Sequence, residues 1–339
     1  MDQLLIFLPF LFIVLVANLS ERHRHRPYVA QNPRTRELLD LGLRYLPQIL
    51  LIAMNLGVLG LAALSLLNEL ARMIMPEMVP PEAMATNWLG SAAAYAITSA
   101  VAFLPLIPAL RRWVARWLPI NPDSFVHATA LTFAIYQIGL SLAQTVLIGG
   151  LESLTDVEMR LTIWDVILSG IPLALLALGG VGLLVRRDGR STLERLGLRR
   201  PTWKQLVAAA VIAAVLIGFD AAVSLGWQEV DPSSYELLER VTENIFGGLG
   251  TVGGALALGL SAGISEELLF RGAVQPRLGL VLASVLFAIG HLQYGLTYAT
   301  LEILLIGLVL GLVRKRTSTT LCIVIHATYN TVGTLLTLL

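Results

Sequence analysis

The sequence predicts an all-α fold: a polytopic membrane helix bundle of about ten transmembrane helices with both termini outside. Three observations predict it. Apolar residues make up 56% of the 339-residue chain and charged residues 14%, with a mean hydropathy of +0.74, well outside the soluble globular range. The apolar residues are gathered into blocks close to the roughly 20 residues a helix needs to cross hydrocarbon. Lys and Arg collect in every second connection between blocks, which is the positive-inside pattern.

The blocks fall at about 3–19, 45–67, 88–110, 127–150, 163–185, 205–227, 248–270, 278–292, 297–313 and 319–339. The first reads as a retained anchor rather than a cleaved signal peptide, because Asp2 precedes it and its positive charge follows the apolar run. The next connection carries Arg22, Arg24, Arg26, Arg34, Arg36 and Arg44, and the one after it only Arg72 beside Glu69, Glu77 and Glu82. Stretches near 111–116, 186–204, 271–277 and 314–316 are basic again, whereas those around Arg160 and Arg240 are dominated by carboxylates. The basic connections are therefore assigned to the cytoplasm. Trp88, Trp113 and Trp117 sit near block ends, as interfacial anchors do.

Three parts follow: a five-span accessory half at 1–186, a basic cytoplasmic linker at 187–204 with a short surface helix at Thr192–Leu196, and a five-span bundle at 205–339. No internal repeat is evident. Residues Asp231–Phe246 read as an amphipathic interfacial helix with Leu237, Leu238, Val241 and Ile245 on one face, a cap over the bundle rather than a gate. The net charge of +1 says nothing of partners, and no nucleic-acid binding is expected. The only cysteine, Cys322, excludes an internal disulfide and a multi-cysteine zinc site.

Ionisable groups at helix centres cost about 2.5–3.5 kcal/mol each on insertion scales, so a chain that keeps several usually uses them. The C-terminal half keeps Asp220, Glu266, Glu267, His291, Glu302 and His326, with Asn330 beside them. Glu302 opens a block near its outer end and reads as interfacial and solvated. Asp220 lies toward the outer third, and a structural role is favoured for it. The other residues come in helical pairs. Glu267 and Arg271 are four apart and face each other, while Glu266 is turned about 100° away. Phe287 shares a face with His291, and His326 with Asn330. If Pro276 stops the seventh helix, and the eighth and tenth begin near Leu280 and Thr317, then Glu266, His291 and His326 lie about 14, 16 and 14 Å from their helix ends at about 1.5 Å per residue. Two adjacent carboxylates with one arginine leave a surplus acid, which needs water, a proton or a metal. Glycines 247, 248, 250, 253 and 254, with Gly259 and Gly263, allow close helix approach around the cluster.

Glu266-Glu267-x-x-x-Arg271, Phe287-x-x-x-His291 and His326-x-x-x-Asn330, each on its own apolar block, resemble the three signature motifs of the CPBP family. That family comprises the CAAX prenyl endopeptidases and the bacteriocin-processing or immunity enzymes of Abi type. The resemblance covers roughly 205–339. It implies an intramembrane endopeptidase in which Glu266 and His291 activate a water, His326 and Asn330 hold the oxyanion or orient the water, and Glu267 with Arg271 and Phe287 supports the motif helix. It also implies a peptide or membrane-anchored protein substrate, prenylated or not, and a multi-pass protein of the plasma or inner membrane. No cofactor is expected; Glu266, His291 and His326 form the alternative three-ligand zinc set with an open position.

Other readings explain less. HExxH is absent, and Pro108-Ala109-Leu110 lacks a companion GxGD. Gly259-Leu260-Ser261-Ala262-Gly263 fits GxSxG, but a Ser261 nucleophile leaves Glu266, Glu267 and Arg271 unexplained. A proton- or ion-coupled transporter would use the same Glu/His cluster, and a non-catalytic membrane scaffold would need none of it.

Overall fold

Regular structure among the described residues is helical, apart from one isolated bridge between Leu183 and Arg187. The structure, a computed structural model, describes residues 2–28, 32–80, 84, 86–148 and 160–337. Glu82 and the expected block ends at 149–150 and 338–339 lie outside them. In chain order the helices are α1 (Asp2–His25), α2 (Pro33–Ile74), α3 (Trp88–Ala102), α4 (Pro108–Val114), α5 (Phe125–Ile148), α6 (Ile163–Val181) and α7 (Gly189–Leu196). Then come α8 (Trp203–Val230), α9 (Pro232–Phe246), α10 (Val252–Glu267), a π-helical segment (Leu268–Val274), α11 (Gln275–Ile289), α12 (Tyr298–Arg316) and α13 (Thr319–Leu336).

Seven helical stretches are long and apolar enough to cross a membrane: Leu5–His25, Pro33–Ile74, Trp88–Leu106, Phe125–Leu147, Ile163–Val181, Trp203–Val230 and Val252–Ile289. The last contains the expected seventh and eighth blocks. The expected ninth and tenth are α12 and α13, whose apolar character is diluted by Glu302, Arg314–Arg316, His326 and Asn330. Large side chains such as Ile97, Val215 and Leu225 point outward, 65%, 64% and 64% exposed. Small residues instead fill helix contacts, as lipid-embedded packing requires. The chain is a multi-pass membrane protein.

Caps explain where the helices begin. Thr162 with Asp165 and Thr202 with Gln205 form capping boxes at α6 and α8. Thr251 and Ser318 cap α10 and α13 by accepting from the backbone N–H of Gly254 and Leu321. Asn32 caps α2 with Pro33 in its first turn, so this helix starts well before its apolar block and runs 42 residues, about 63 Å at 1.5 Å per residue.

Helix α6 joins the two halves: it packs on α1 on one side and on α10 and the π segment on the other. Helix α5 reaches α11, and a core of Leu131, Ala134, Phe270, Leu278, Leu286 and Phe287 crosses the same boundary. The 187–204 connection is pinned rather than loose. Its α7 buries Thr192 and Leu196, and Thr319 binds it through N–H to the Gly197 carbonyl (3.0 Å) and hydroxyl to the Leu196 carbonyl (2.6 Å). Helix α9 spans most of the expected Asp231–Phe246 element; Val241 is buried, and Leu237, Leu238 and Ile245 are partly so.

The expectation that Pro276 stops the helix is corrected here. Pro276 occupies the first turn of α11, where its missing N–H is tolerated. The chain breaks at Gly279 instead, with φ 82° and ψ 170°, a conformation that an L side chain resists.

Candidate active site

Glu266 and Glu267 are the last residues of α10, immediately before a seven-residue π segment. Wide π turns are rare and gather at functional sites, because they rotate successive side chains off the α-helical register. Here they accommodate a buried trio. The Glu267 carboxylate has no exposure; its Oε2 lies 3.3 Å from Arg271 Nε, and its Oε1 accepts from His326 Nδ1 at 2.9 Å. The Glu267–Arg271 contact is an ion pair whose alignment falls short of a hydrogen bond. Arg271 also donates through Nη2 to the Gly307 carbonyl (3.3 Å) and lies 4.6 Å from the Phe287 ring centre. The carbonyls of Arg271 and Gly272 take outside donors, Arg314 Nε (3.2 Å) and Arg195 Nη1 (3.0 Å).

Glu266 faces the other way. Its Oε2 has no hydrogen-bond partner among the described residues and stands 3.7 Å from His291 Nε2. The His291 Nδ1 is held by the Phe287 carbonyl at 2.8 Å. With Nδ1–H as that donor, Nε2 presents a lone pair toward Glu266. A separation of 3.7 Å is too long for a direct hydrogen bond and suits a water that touches both groups. The Phe287 ring is the hub behind the pair, 4.9 Å from the His291 ring, 5.7 Å from His326 and 5.5 Å from Phe270.

Glycines set the depth of α13 against α10. A Cβ on Gly263 would stand 2.8 Å from Ala327 N, and one on Gly259 2.0 Å from Thr331 Oγ1 and 2.6 Å from the Ala327 carbonyl. That close approach brings His326 and Asn330 beside the end of α10.

Glu266, His291, His326 and Asn330 line one cavity of about 1680 Å³. Phe287, though mostly buried, lines it as well, while Glu267 and Arg271 are buried behind its wall. The sequence-derived pairs are thus brought together, five on the surface of the cavity and two, Glu267 and Arg271, in support. The N-terminal half completes the enclosure: Phe133, Gln137 and Ser141 of α5 and Leu173 of α6 line the same space. Sequence pattern contained no signal for this, since those residues carry no motif. Ser261 also borders the cavity, but its hydroxyl donates to the Val166 carbonyl at 2.8 Å. Among the described residues no three of His, Cys, Asp and Glu, Glu266, His291 and His326 included, are grouped closely enough to hold a metal ion.

One reading is overturned. Glu302 is not solvated at an interface; it is 8% exposed and lies near Asp220, and both line the cavity wall. Asp220 in turn accepts from the Tyr329 hydroxyl at 3.3 Å. Glu302 does lie near the start of α12, as its place in the apolar block suggested, but α8 packs against α12 and Glu302 is buried there.

The helix bundle thus lines one cavity with a glutamate–histidine pair backed by a buried Glu–Arg–His trio. Residues 248–332 match the family described as Type II CAAX prenyl endopeptidase Rce1-like, which supports assignment of the chain to the CPBP intramembrane proteases. The match spans α10 to α13 and contains all three motifs. No curated protein and no solved structure matches the chain.

Proposed function

We propose that the protein is a CPBP-type intramembrane endopeptidase that hydrolyses a peptide bond with a water activated by Glu266 and His291. The 3.7 Å gap between the Glu266 carboxylate and His291 Nε2, opening into the cavity, carries this reading. A water held there donates one hydrogen to Glu266 and the other to Nε2, leaving an oxygen lone pair for the scissile carbonyl carbon. As the new C–O bond forms, Glu266 takes the proton. The carbonyl oxygen becomes an oxyanion that accepts from His326 Nε2–H and the Asn330 amide. Because His326 Nδ1 already faces Glu267, this role requires a proton on both ring nitrogens, with Glu267 as counter-ion. Glu266 then returns its proton to the amide nitrogen, the C–N bond breaks, and a carboxyl and an amine product leave. No metal enters these steps.

The substrate is a peptide or membrane-anchored protein that reaches the cavity from the lipid or from the cytoplasmic side; a prenylated chain fits the apolar parts of the wall at Phe133, Leu140, Leu173 and Leu176. The plasma or inner membrane is the proposed location. Purified protein in detergent should cleave a quenched peptide, and Glu266→Gln and His291→Ala should each lose that cleavage. A transporter would instead give solute flux in proteoliposomes that tracks Glu266, and a scaffold would keep its cellular effect in both variants.

A further inference from the structure

The same cavity has a second polar end, which the proposed chemistry leaves unused. Arg186 and Arg187 follow α6, Arg195 lies on α7 and Arg277 opens α11, and all four line the cavity half-buried. Other arginines of the same connections, Arg190, Arg199 and Arg200, are exposed. A positive-inside bias requires cations near the membrane surface, but it does not require four of them to turn into one enclosed space.

Their counter-charges are few. Arg186 donates to Asn18 Oδ1 (2.7 Å) and lies 3.9 Å from Glu21. Arg187 and Arg195 donate to the backbone carbonyls of Val181 and Gly272. No ion pair among the described residues involves Arg187, Arg195 or Arg277. Burial, and then the positive charges of Arg277, Arg187, Arg314 and Arg186, push the Arg195 guanidinium down to about 10. Among the described residues the four guanidiniums have one ion-paired carboxylate, Glu21, an excess of three positive charges; the other lining carboxylates, Asp220, Glu239, Glu243, Glu266 and Glu302, make no ion pair with them. A lone carboxylate supplies one negative charge, whereas a phosphate monoester supplies about 1.5 to 2 near neutral pH. Its oxygens also match the planar fork of arginine in pairs. The same cavity is also lined by the apolar side chains of Val14, Ala17, Ala134 and Leu278, which suit an alkyl chain.

We infer that Arg186, Arg187, Arg195 and Arg277 form a phosphate-binding site at the basic end of the cavity, occupied by the headgroup of an anionic phospholipid. It is independent of the proposed peptidase chemistry and is read by binding alone. The test uses the full-length protein in detergent, with phosphatidic acid, phosphatidylcholine and inorganic pyrophosphate as separate probes. Native mass spectrometry and thermal protection are the readouts. Phosphatidic acid should be retained at least about tenfold over phosphatidylcholine, an arginine–phosphate margin. Arg277→Gln and Arg195→Gln should lose that preference, and Arg190→Gln should keep it. Arg187→Gln, whose arginine holds one carbonyl only, serves if either variant fails to fold. Protection by pyrophosphate without lipid preference, lost in the same variants, supports the phosphate site and assigns it a soluble occupant. Equal retention of both lipids with no pyrophosphate effect, or an unchanged preference in Arg277→Gln and Arg187→Gln, overturns the inference.

Discussion

The Glu267–Arg271–His326 trio gives the most quantitative prediction. Glu267→Gln keeps the shape of the side chain and removes its charge, so the Arg271 guanidinium, 1% exposed, loses its one ion-pair partner among the described residues. Breaking one partner of a buried pair costs about 3–5 kcal/mol. The Gly307 carbonyl and the Phe287 ring still face the guanidinium, which puts the loss near the lower figure, about 3 kcal/mol. Arg271→Met added to Glu267→Gln removes the stranded charge and should recover about 1–3 kcal/mol, the usual coupling between contacting residues. The protein supplies its own reporter: Cys322 is the only cysteine and is fully buried, so a thiol-reactive fluorophore in detergent reports unfolding. Equal melting of Glu267→Gln and wild type would refute the reasoning, as would a double variant that melts below the sum of its singles.

Further outcomes follow from neighbouring contacts. Ser261→Ala should cost about 1 kcal/mol for the lost bond to Val166 and leave peptide cleavage intact, which a cleavage assay beside a melting curve checks. Gly263→Ala drives a Cβ to 2.8 Å from Ala327 N; it should cost about 1–3 kcal/mol and lower turnover by separating α10 from α13. Gly218→Ala is the control, because its Cβ meets nothing within 4 Å and helical Gly→Ala changes typically stabilise by about 0.4–1 kcal/mol. Cleavage should survive exhaustive chelation with no stoichiometric metal in the purified protein; stoichiometric zinc whose removal stops turnover would contradict the metal-free mechanism.

Much of the architecture was legible because lipid imposes strong rules on a sequence. Apolar block length located the membrane helices, and the i, i+4 spacing of Glu267 with Arg271 and His326 with Asn330 indicated which side chains could meet. The same rules are blind to what lies outside hydrocarbon or depends on a neighbouring helix. Helix α2 begins at Pro33, twelve residues before its apolar block, because a cap and not hydropathy starts it. The stop assigned to Pro276 moved to Gly279, since proline is tolerated in a first turn and a left-handed φ is not tolerated by other residues. Glu302 was misread because its depth depends on α8 beside it, through Asp220. The α5 and α6 side of the cavity left no trace in sequence: a wall of Phe133, Gln137 and Leu173 has no spacing that separates it from any other helix face.

The central claim is that Glu266 and His291 share one water in a cavity inside the bilayer. Membrane proteomes of cells carrying wild type or Glu266→Gln at equal abundance test it most directly. Hydrolysis predicts intact precursors that accumulate only in the variant, with the matching fragments present only in wild type. Identical fragments in both strains would contradict it.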